Sequence, residues 1–273
     1  MQIYTVNSLN LQYKSIEQQG LKQNKNFYNT DLKDTFNSNK AQNINFNGWF
    51  WNRNKTKPVI NPNNLAMFDN ARNLSKHIMC GGFGNVIMKY DCYGCKGIFE
   101  RIKKEGNIDT IIYLGESAAV HEKMQKSIQK AGLKYFNLSI WDFDNWFHED
   151  GDKISVKQNA VDNLKELFNI LNSADNVVIG CDQGVQRTSQ ALFFNHYLNS
   201  KNKISGEDLL NACKRASDIT LLNNFVNVKK LFNALSSEQK AELGLTDKKL
   251  PELEITDLGQ AAEDLKKFLL TNK

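Results

Sequence analysis

Val177-Val178-Ile179-Gly180-Cys181-Asp182-Gln183-Gly184-Val185-Gln186-Arg187-Thr188-Ser189-Gln190 runs from a short apolar strand, through a turn with a glycine at its centre, into a helix that an arginine opens. The unbroken apolar run predicts a strand buried on both faces, and the helix is expected over Arg187 to Tyr197. A strand-to-helix turn of this composition makes an anion cradle. Its main-chain N–H groups, from Asp182 through Gln183, Gly184, Val185 and Gln186 to Arg187, converge on one point, and the helix N-terminus adds partial positive charge. Arg187 supplies a bidentate fork for two phosphate oxygens, while Gly184 turns the backbone without a side chain to block the anion. The same positive field favours the thiolate of Cys181, which lies in line with a bound phosphorus atom, and Thr188 can donate its hydroxyl to the sulfur. A buried structural cysteine beside a surface arginine also yields the Cys-x5-Arg spacing. The placement at a strand end, the central glycine and the following threonine favour the working site.

Working outward, the chain alternates helices with short buried strands. Ile98 to Glu105 reads as a helix feeding a strand at Ile108 to Leu114, and a helix over Ala118 to Lys130 passes Gly132 into a strand at Tyr135 to Ile140. The amphipathic segment Asp162 to Leu171 precedes the strand Asn176 to Gly180. This order implies an α/β fold with a largely parallel central sheet flanked by helices. Beyond residue 188 the chain reads as helical to its end, at Gly206 to Arg215, Asn224 to Leu235 and a stretch with Leu258, Ala262, Leu265 and Leu269 in register. Ser236 with Gln239 forms a capping-box pattern.

Residues 1–64 differ in kind, with 15 Asn and 6 Gln and no sustained periodicity, and they read as a disordered polar tail. Its one apolar knot, Phe46-Asn47-Gly48-Trp49-Phe50-Trp51, is a candidate docking element. The expected organisation is this tail, a catalytic domain over 65–235 and a helical extension over 236–273, whose helices suit core packing better than a partner-binding arm. With 41% hydrophobic and 24% charged residues the 273-residue chain has material for a sizeable core. No apolar run is long enough to span a membrane, and the first residues lack the pattern of a secretory signal, so a cytoplasmic protein is expected. The polar tail also suits a bacterial effector exported into a host cytosol. A net charge of +5 is too mild for nucleic-acid binding, and five cysteines, an odd number, argue against a disulfide framework.

Cys181, Arg187 and Thr188 carry a resemblance to the cysteine-dependent protein tyrosine phosphatases, whose signature is His-Cys-x5-Arg-Ser/Thr. Tyr135-Phe136-Asn137-Leu138-Ser139-Ile140-Trp141-Asp142 resembles the strand leading to the general-acid loop of the dual-specificity branch. Leu209-Leu210-x-x-Cys213-Lys214 and Asn224-Phe225-Val226 with Leu231 resemble the two helices that close that branch's domain. The resemblance covers residues 70 to 235 and implies a phosphatase-type fold with additional C-terminal helices, a phosphocysteine intermediate on Cys181, and no cofactor. Such chemistry also requires a proton donor for the leaving group, which then activates water. Asp142, at the end of a strand some forty residues before the nucleophile, is assigned that role by the resemblance. Asp144 is the alternative. The implied substrates are phosphorylated proteins, phosphotyrosine first.

Three departures stand out. Gly180 replaces the family's histidine, Ser217 sits where the branch often carries another arginine, and Asp182 follows the nucleophile, where a carboxylate pointing inward would repel a dianion. Asp182 is therefore expected to point outward. An acidic residue there is similar to the phytase-like branch, which makes inositol polyphosphate an alternative substrate; the lack of Lys or Arg among the five intervening residues weighs against it. A catalytically weak phosphate-binding module is the alternative from another class, and a rhodanese-like sulfur-transfer loop is disfavoured by the Arg187-Thr188 ending. Elsewhere, His77, Cys80, Cys92 and Cys95 have the residue types and spacing of a structural zinc site, though Gly81-Gly82-Phe83-Gly84 equally suggests a glycine-rich turn region holding small buried thiols. His196 reads as a core residue, and one of Trp141 and Trp146 as packing.

Overall fold

The computed structural model describes residues 60–61, 67–75, 77–93, 97–115, 120, 122–138, 143–151, 153–201, 203–252 and 258–271. The tail up to residue 59 with its aromatic knot, His121, Trp141, Asp142, Cys95 and the side chain of Cys92 lie outside them.

Five strands form the main sheet: β1 (Asp69–Asn73), β2 (Ile78–Gly82), β3 (Thr110–Tyr113), β4 (Lys134–Asn137) and β7 (Val177–Gly180), in the order β1-β2-β7-β3-β4. Only the β1–β2 pair is antiparallel; β2–β7, β7–β3 and β3–β4 are parallel. The helices are α1 (Gly84–Tyr93), α2 (Ile98–Gly106), α3 (Glu122–Lys130), α4 (Gln158–Ser173), α5 (Gln186–Leu198), α6 (Gly206–Ala212), α7 (Asp218–Ala234), α8 (Ser237–Glu242) and α9 (Leu258–Thr271). A separate hairpin pairs β5 (Phe147–Asp150) with β6 (Lys153–Val156).

The expected α/β class with a largely parallel sheet and added C-terminal helices is thus the observed one. Its two-sided core follows from the pleat, since successive strand residues point to opposite faces. Ile112, Val177 and Ile179 join one apolar layer with Leu164, Leu167, Phe193, Phe225 and Leu265, while Ile111 and Val178 join the other with Phe99, Ile102, Met124 and Ile128. The C-terminal helix belongs to the first layer, with Ala261, Ala262, Leu265 and Leu269 all buried. At the other end Ile60 is buried and Asn61 N donates to Gly106 O at 3.1 Å, so packed structure begins before residue 65.

Several elements differ in extent from their sequence patterns. The glycine-rich stretch expected as a turn is β2 and the start of α1, because Met79, Cys80, Gly81 and Gly82 pack between neighbouring strands. The helix placed at Asn224 begins at Asp218, where Ser217 Oγ caps it by accepting from Thr220 N at 3.2 Å. The strand drawn to Ile140 ends at Asn137, since β3, its ladder partner, ends at Tyr113. The capping box is present as expected, Ser236 N donating to Gln239 Oε1 at 3.1 Å and Gln239 N to Ser236 Oγ at 3.2 Å. Among the described residues no helix is long and apolar enough to cross a membrane.

Candidate active site

β7 lies in the middle of the sheet, between β2 and β3, so whatever follows its carboxyl end sits at the centre of the sheet's C-terminal edge, where open α/β folds hold ligands. Cys181 is that residue, and the loop from Asp182 to Val185 carries the chain into α5. α5 is buried almost all round, with ten of its thirteen residues inaccessible, so the loop is anchored to a helix fixed in the core.

Cys181 is 4% exposed. Its N–H donates to Thr188 Oγ1 at 3.0 Å, and the Thr188 hydroxyl donates to Cys181 Sγ at 3.4 Å, closing the loop across its base. Ser189, next along α5, is held by Asn224 Nδ2 at 2.8 Å, and Gln190 Oε1 accepts from Asn227 Nδ2 at 2.7 Å. These buried polar contacts lock the first turn of α5 onto α7.

Arg187, with 17% of its side chain exposed, points from the start of α5 across the loop. Its Nη1 donates to Leu114 O at 3.4 Å and lies 3.5 Å from Asp182 Oδ2. The other oxygen of Asp182 accepts a hydrogen bond from the Tyr113 hydroxyl. Burial first, and then that hydrogen bond to a carboxylate, push the Tyr113 hydroxyl far above the ordinary phenol range, so it stays a donor throughout the working pH range. Asp182 is thus turned sideways and shared between Tyr113 and Arg187, half in solvent at 46% side-chain exposure.

The turn is shaped by close backbone approach. A Cβ on Gly180 would lie 1.7 Å from Gly81 O, and Gly184, at φ 70°, would place one 2.5 Å from Gly82 N. The left-handed conformation at 184 suits glycine, while at 180 it is space that forbids a side chain. The loop is held instead from the β2–α1 turn: Phe83 N donates to Cys181 O at 2.9 Å and Gly84 N to Asp182 O at 2.8 Å.

The structure therefore brings Cys181, Asp182, Arg187 and Thr188 together in one turn. Asp142 lies outside the described residues, but Phe143, the residue after it, is buried against Phe194 of α5 with ring centroids 5.7 Å apart. Asp144 is described and exposed. Trp146 is a packing residue, stacked on Phe194 at 5.6 Å and 27°. His196 is likewise engaged in the core, its Nδ1 2.8 Å from Ile204 O.

Of the zinc candidates, His77 Nδ1 pairs with Asn176 Oδ1 at 2.8 Å. Cys80 is fully buried in the layer that also holds Cys181 and Cys213. His77 lies in the bend before β2, whereas Cys80 lies within that strand. Burial pushes the Cys80 thiol up and the Cys213 thiol up to about 12, so both are protonated near neutral pH.

Tyr113, Asn70 and Arg72 have no counterpart in the sequence reading. Asn70 Nδ2 donates to Gln183 O at 2.8 Å and Arg72 Nη2 to Gly184 O at 2.9 Å. Both reach the loop from β1, more than a hundred residues away in sequence. No local signal marks them; only strand pairing across β2 brings β1 to the loop.

No known family profile matches the chain, and no curated protein matches it in sequence. Among solved structures it is similar to a candidate phosphatase of the DUF442 group from Shewanella putrefaciens, at 14% identity over 62% of this chain and 98% of that one, with a TM-score of 0.40. It is similar to Tk-PTP in its active form at 12% identity, over 66% of this chain and 98% of that one, with a TM-score of 0.32. For PTPMT1 in complex with PI(5)P the figures are 11%, 73% and 99%, with a TM-score of 0.29.

Proposed function

We propose that the chain is a phosphomonoester hydrolase that works through a phosphocysteine on Cys181. The observation that carries this reading is the meeting, in one short turn, of a buried cysteine at a strand end, an arginine on the following helix and a threonine hydroxyl 3.4 Å from the cysteine sulfur. The Cys181 thiolate attacks phosphorus, an S–P bond forms, and the ester P–O bond breaks with its electron pair passing to the leaving oxygen. Asp142 protonates that oxygen. Water then attacks the phosphocysteine, Asp142 takes its proton, and the S–P bond breaks to return the thiolate. The Thr188 hydroxyl stabilises the departing sulfur. Arg187 and the main-chain N–H groups from Asp182 to Arg187 hold the equatorial oxygens as charge redistributes.

The substrate carries one phosphoryl group at the reaction centre, and a phosphoprotein with phosphotyrosine suits the site best. Within the loop Arg187 is the only cationic side chain, and it already shares Asp182. An inositol polyphosphate would call for more cations at the mouth.

Single-turnover mixing of the full chain with a phosphotyrosyl peptide is the test. Wild type is expected to release phosphate, and Asp142→Ala to slow release about 100-fold, the usual worth of a general acid. With Asp142 as the acid, Asp144→Ala should stay within about threefold of wild type, and a larger loss in Asp144→Ala than in Asp142→Ala would assign the proton to Asp144 instead. Peptide binding without phosphate release by wild type would favour the phosphate-recognition module. Asp182→Asn provides a further check, because it removes a negative charge close to the bound dianion. Inorganic phosphate should inhibit this variant about 3- to 10-fold more tightly, as expected for removal of one like charge beside the anion in a partly solvated site. Unchanged inhibition would show that Asp182 exerts no field on the anion.

A further inference from the structure

The loop's shape depends on four successive carbonyls. Cys181 O accepts from Phe83 N at 2.9 Å, Asp182 O from Gly84 N at 2.8 Å, Gln183 O from Asn70 Nδ2 at 2.8 Å and Gly184 O from Arg72 Nη2 at 2.9 Å. All four hydrogen bonds come from the β1, β2 and α1 side. In a trans peptide the N–H points opposite to the C=O, and no peptide bond among the described residues is cis. Tying these carbonyls outward therefore turns the N–H groups of Asp182, Gln183, Gly184 and Val185 to the other side of the loop. The inner two tethers are backbone groups that any sequence could supply, whereas the outer two are side chains of β1.

The segment that supplies them is built to reach. Asn70 adopts a left-handed φ of 53°, and the β1–β2 register shifts between Asp69 and Arg72, a bulge that re-aims side chains at a sheet edge. Asp69 fixes the neighbouring turn by accepting from Asn85 N at 3.2 Å.

Arg72 contributes charge as well as a donor. Its Nε and Nη1 are shielded from water, and among the described residues no carboxylate pairs with it. Cys80, which shares a hydrogen bond with the guanidinium, and Cys213 are both held as neutral thiols by burial, so they do not offset its charge. A half-buried guanidinium with two shielded nitrogens and no carboxylate among the described residues to neutralise it is stabilised by an anion on the far side of the loop.

We propose that Arg72 and Asn70 are positioning residues of the phosphate loop: together they aim its N–H groups, and Arg72 adds from behind a positive charge that a bound oxyanion completes. This rests on the phosphatase reading only for its effect on turnover; its anion-binding half stands alone.

The test measures tungstate binding to the full chain by isothermal titration calorimetry, together with kcat and KM for an aryl phosphate, in wild type, Arg72→Met, Arg72→Lys and Asn70→Gly. Arg72→Met should weaken tungstate about tenfold or more and lower kcat by a similar or larger factor, since loop donors act more strongly on the transition state than on bound substrate. Arg72→Lys should recover most of the tungstate affinity by restoring charge, and less of kcat. Asn70→Gly accepts the left-handed backbone and should weaken tungstate about threefold, which keeps the proposal testable if Arg72→Met fails to fold. Tungstate affinity equal to wild type in folded Arg72→Met and in Asn70→Gly would overturn the proposal even with active wild type. Wild type that binds tungstate but cleaves no ester would remove the phosphatase reading, and the tungstate series would still decide this one.

Discussion

Cys181→Ser is expected to leave a folded protein that releases no measurable phosphate, a loss of at least about 10⁴-fold in kcat, as for removal of a nucleophile that acts as part of a unit. The reason is local. A serine hydroxyl needs a base to become a nucleophile, and the carboxylate nearest in sequence, Asp182, is committed to Tyr113 and Arg187. Thr188 offers the residue at 181 a donor, not a base: its hydroxyl points at the sulfur and its oxygen is occupied by the backbone N–H of Cys181. Serine at 181 is smaller than cysteine and sits at the edge of the core, so stability should change by no more than about 1 kcal/mol. Rapid-mixing phosphate release and a thermal melt on the same preparation check both halves. Turnover by Cys181→Ser within tenfold of wild type would remove Cys181 from the chemistry and the phosphocysteine with it.

Gly180→Ala is expected to cost about 3 kcal/mol or more, because the added methyl meets backbone and cannot be accommodated by a rotamer change. The new Cβ would fall 1.7 Å from Gly81 O and 3.2 Å from the ring of Phe83. Relief requires β7 and β2 to part at the point where Phe83 N and Gly84 N hold the loop, so stability and site geometry fail together. For a unit of roughly 200 residues a loss of that size lowers Tm by about 6–12 °C. Thermal unfolding followed by circular dichroism measures it, and a Tm within 1 °C or so of wild type would show that the strands separate freely here. The same crowding makes Gly180→His more damaging than Gly180→Ala. An imidazole at 180 would have nowhere to go, since even a methyl there meets the Gly81 carbonyl and the Phe83 ring.

How much of this was legible beforehand varies with the range of the interactions. β7 and α5 follow from an uninterrupted apolar run and a short loop, and both appear where the pattern puts them. The pairing of Thr188 with Cys181 was also legible, since seven residues spanning a turn leave little freedom. Gly180 read as the loss of a hydrogen-bonding group; in the fold it is a demand for space, which depends on how closely β2 approaches. Asp182 was expected to point outward to escape the anion. It is turned sideways instead, because Tyr113, the last residue of β3 and the register partner of Gly180, holds one oxygen.

The amino-acid sequence alone determined the α/β class, the strand-loop-helix that carries Cys181 and Arg187, and the helical character of the C-terminal third. Each of these is written in local periodicity or in spacing across one turn, where chain connectivity limits the choices. Only the tertiary structure decided that β7 lies between β2 and β3, that a glycine-rich segment is a strand, and that Asn70, Arg72 and Tyr113 surround the loop. Those contacts join residues about 70 to 110 positions apart. Strand order across a sheet sets them, through the burial of two apolar layers at once, and that is a property of the whole packed chain.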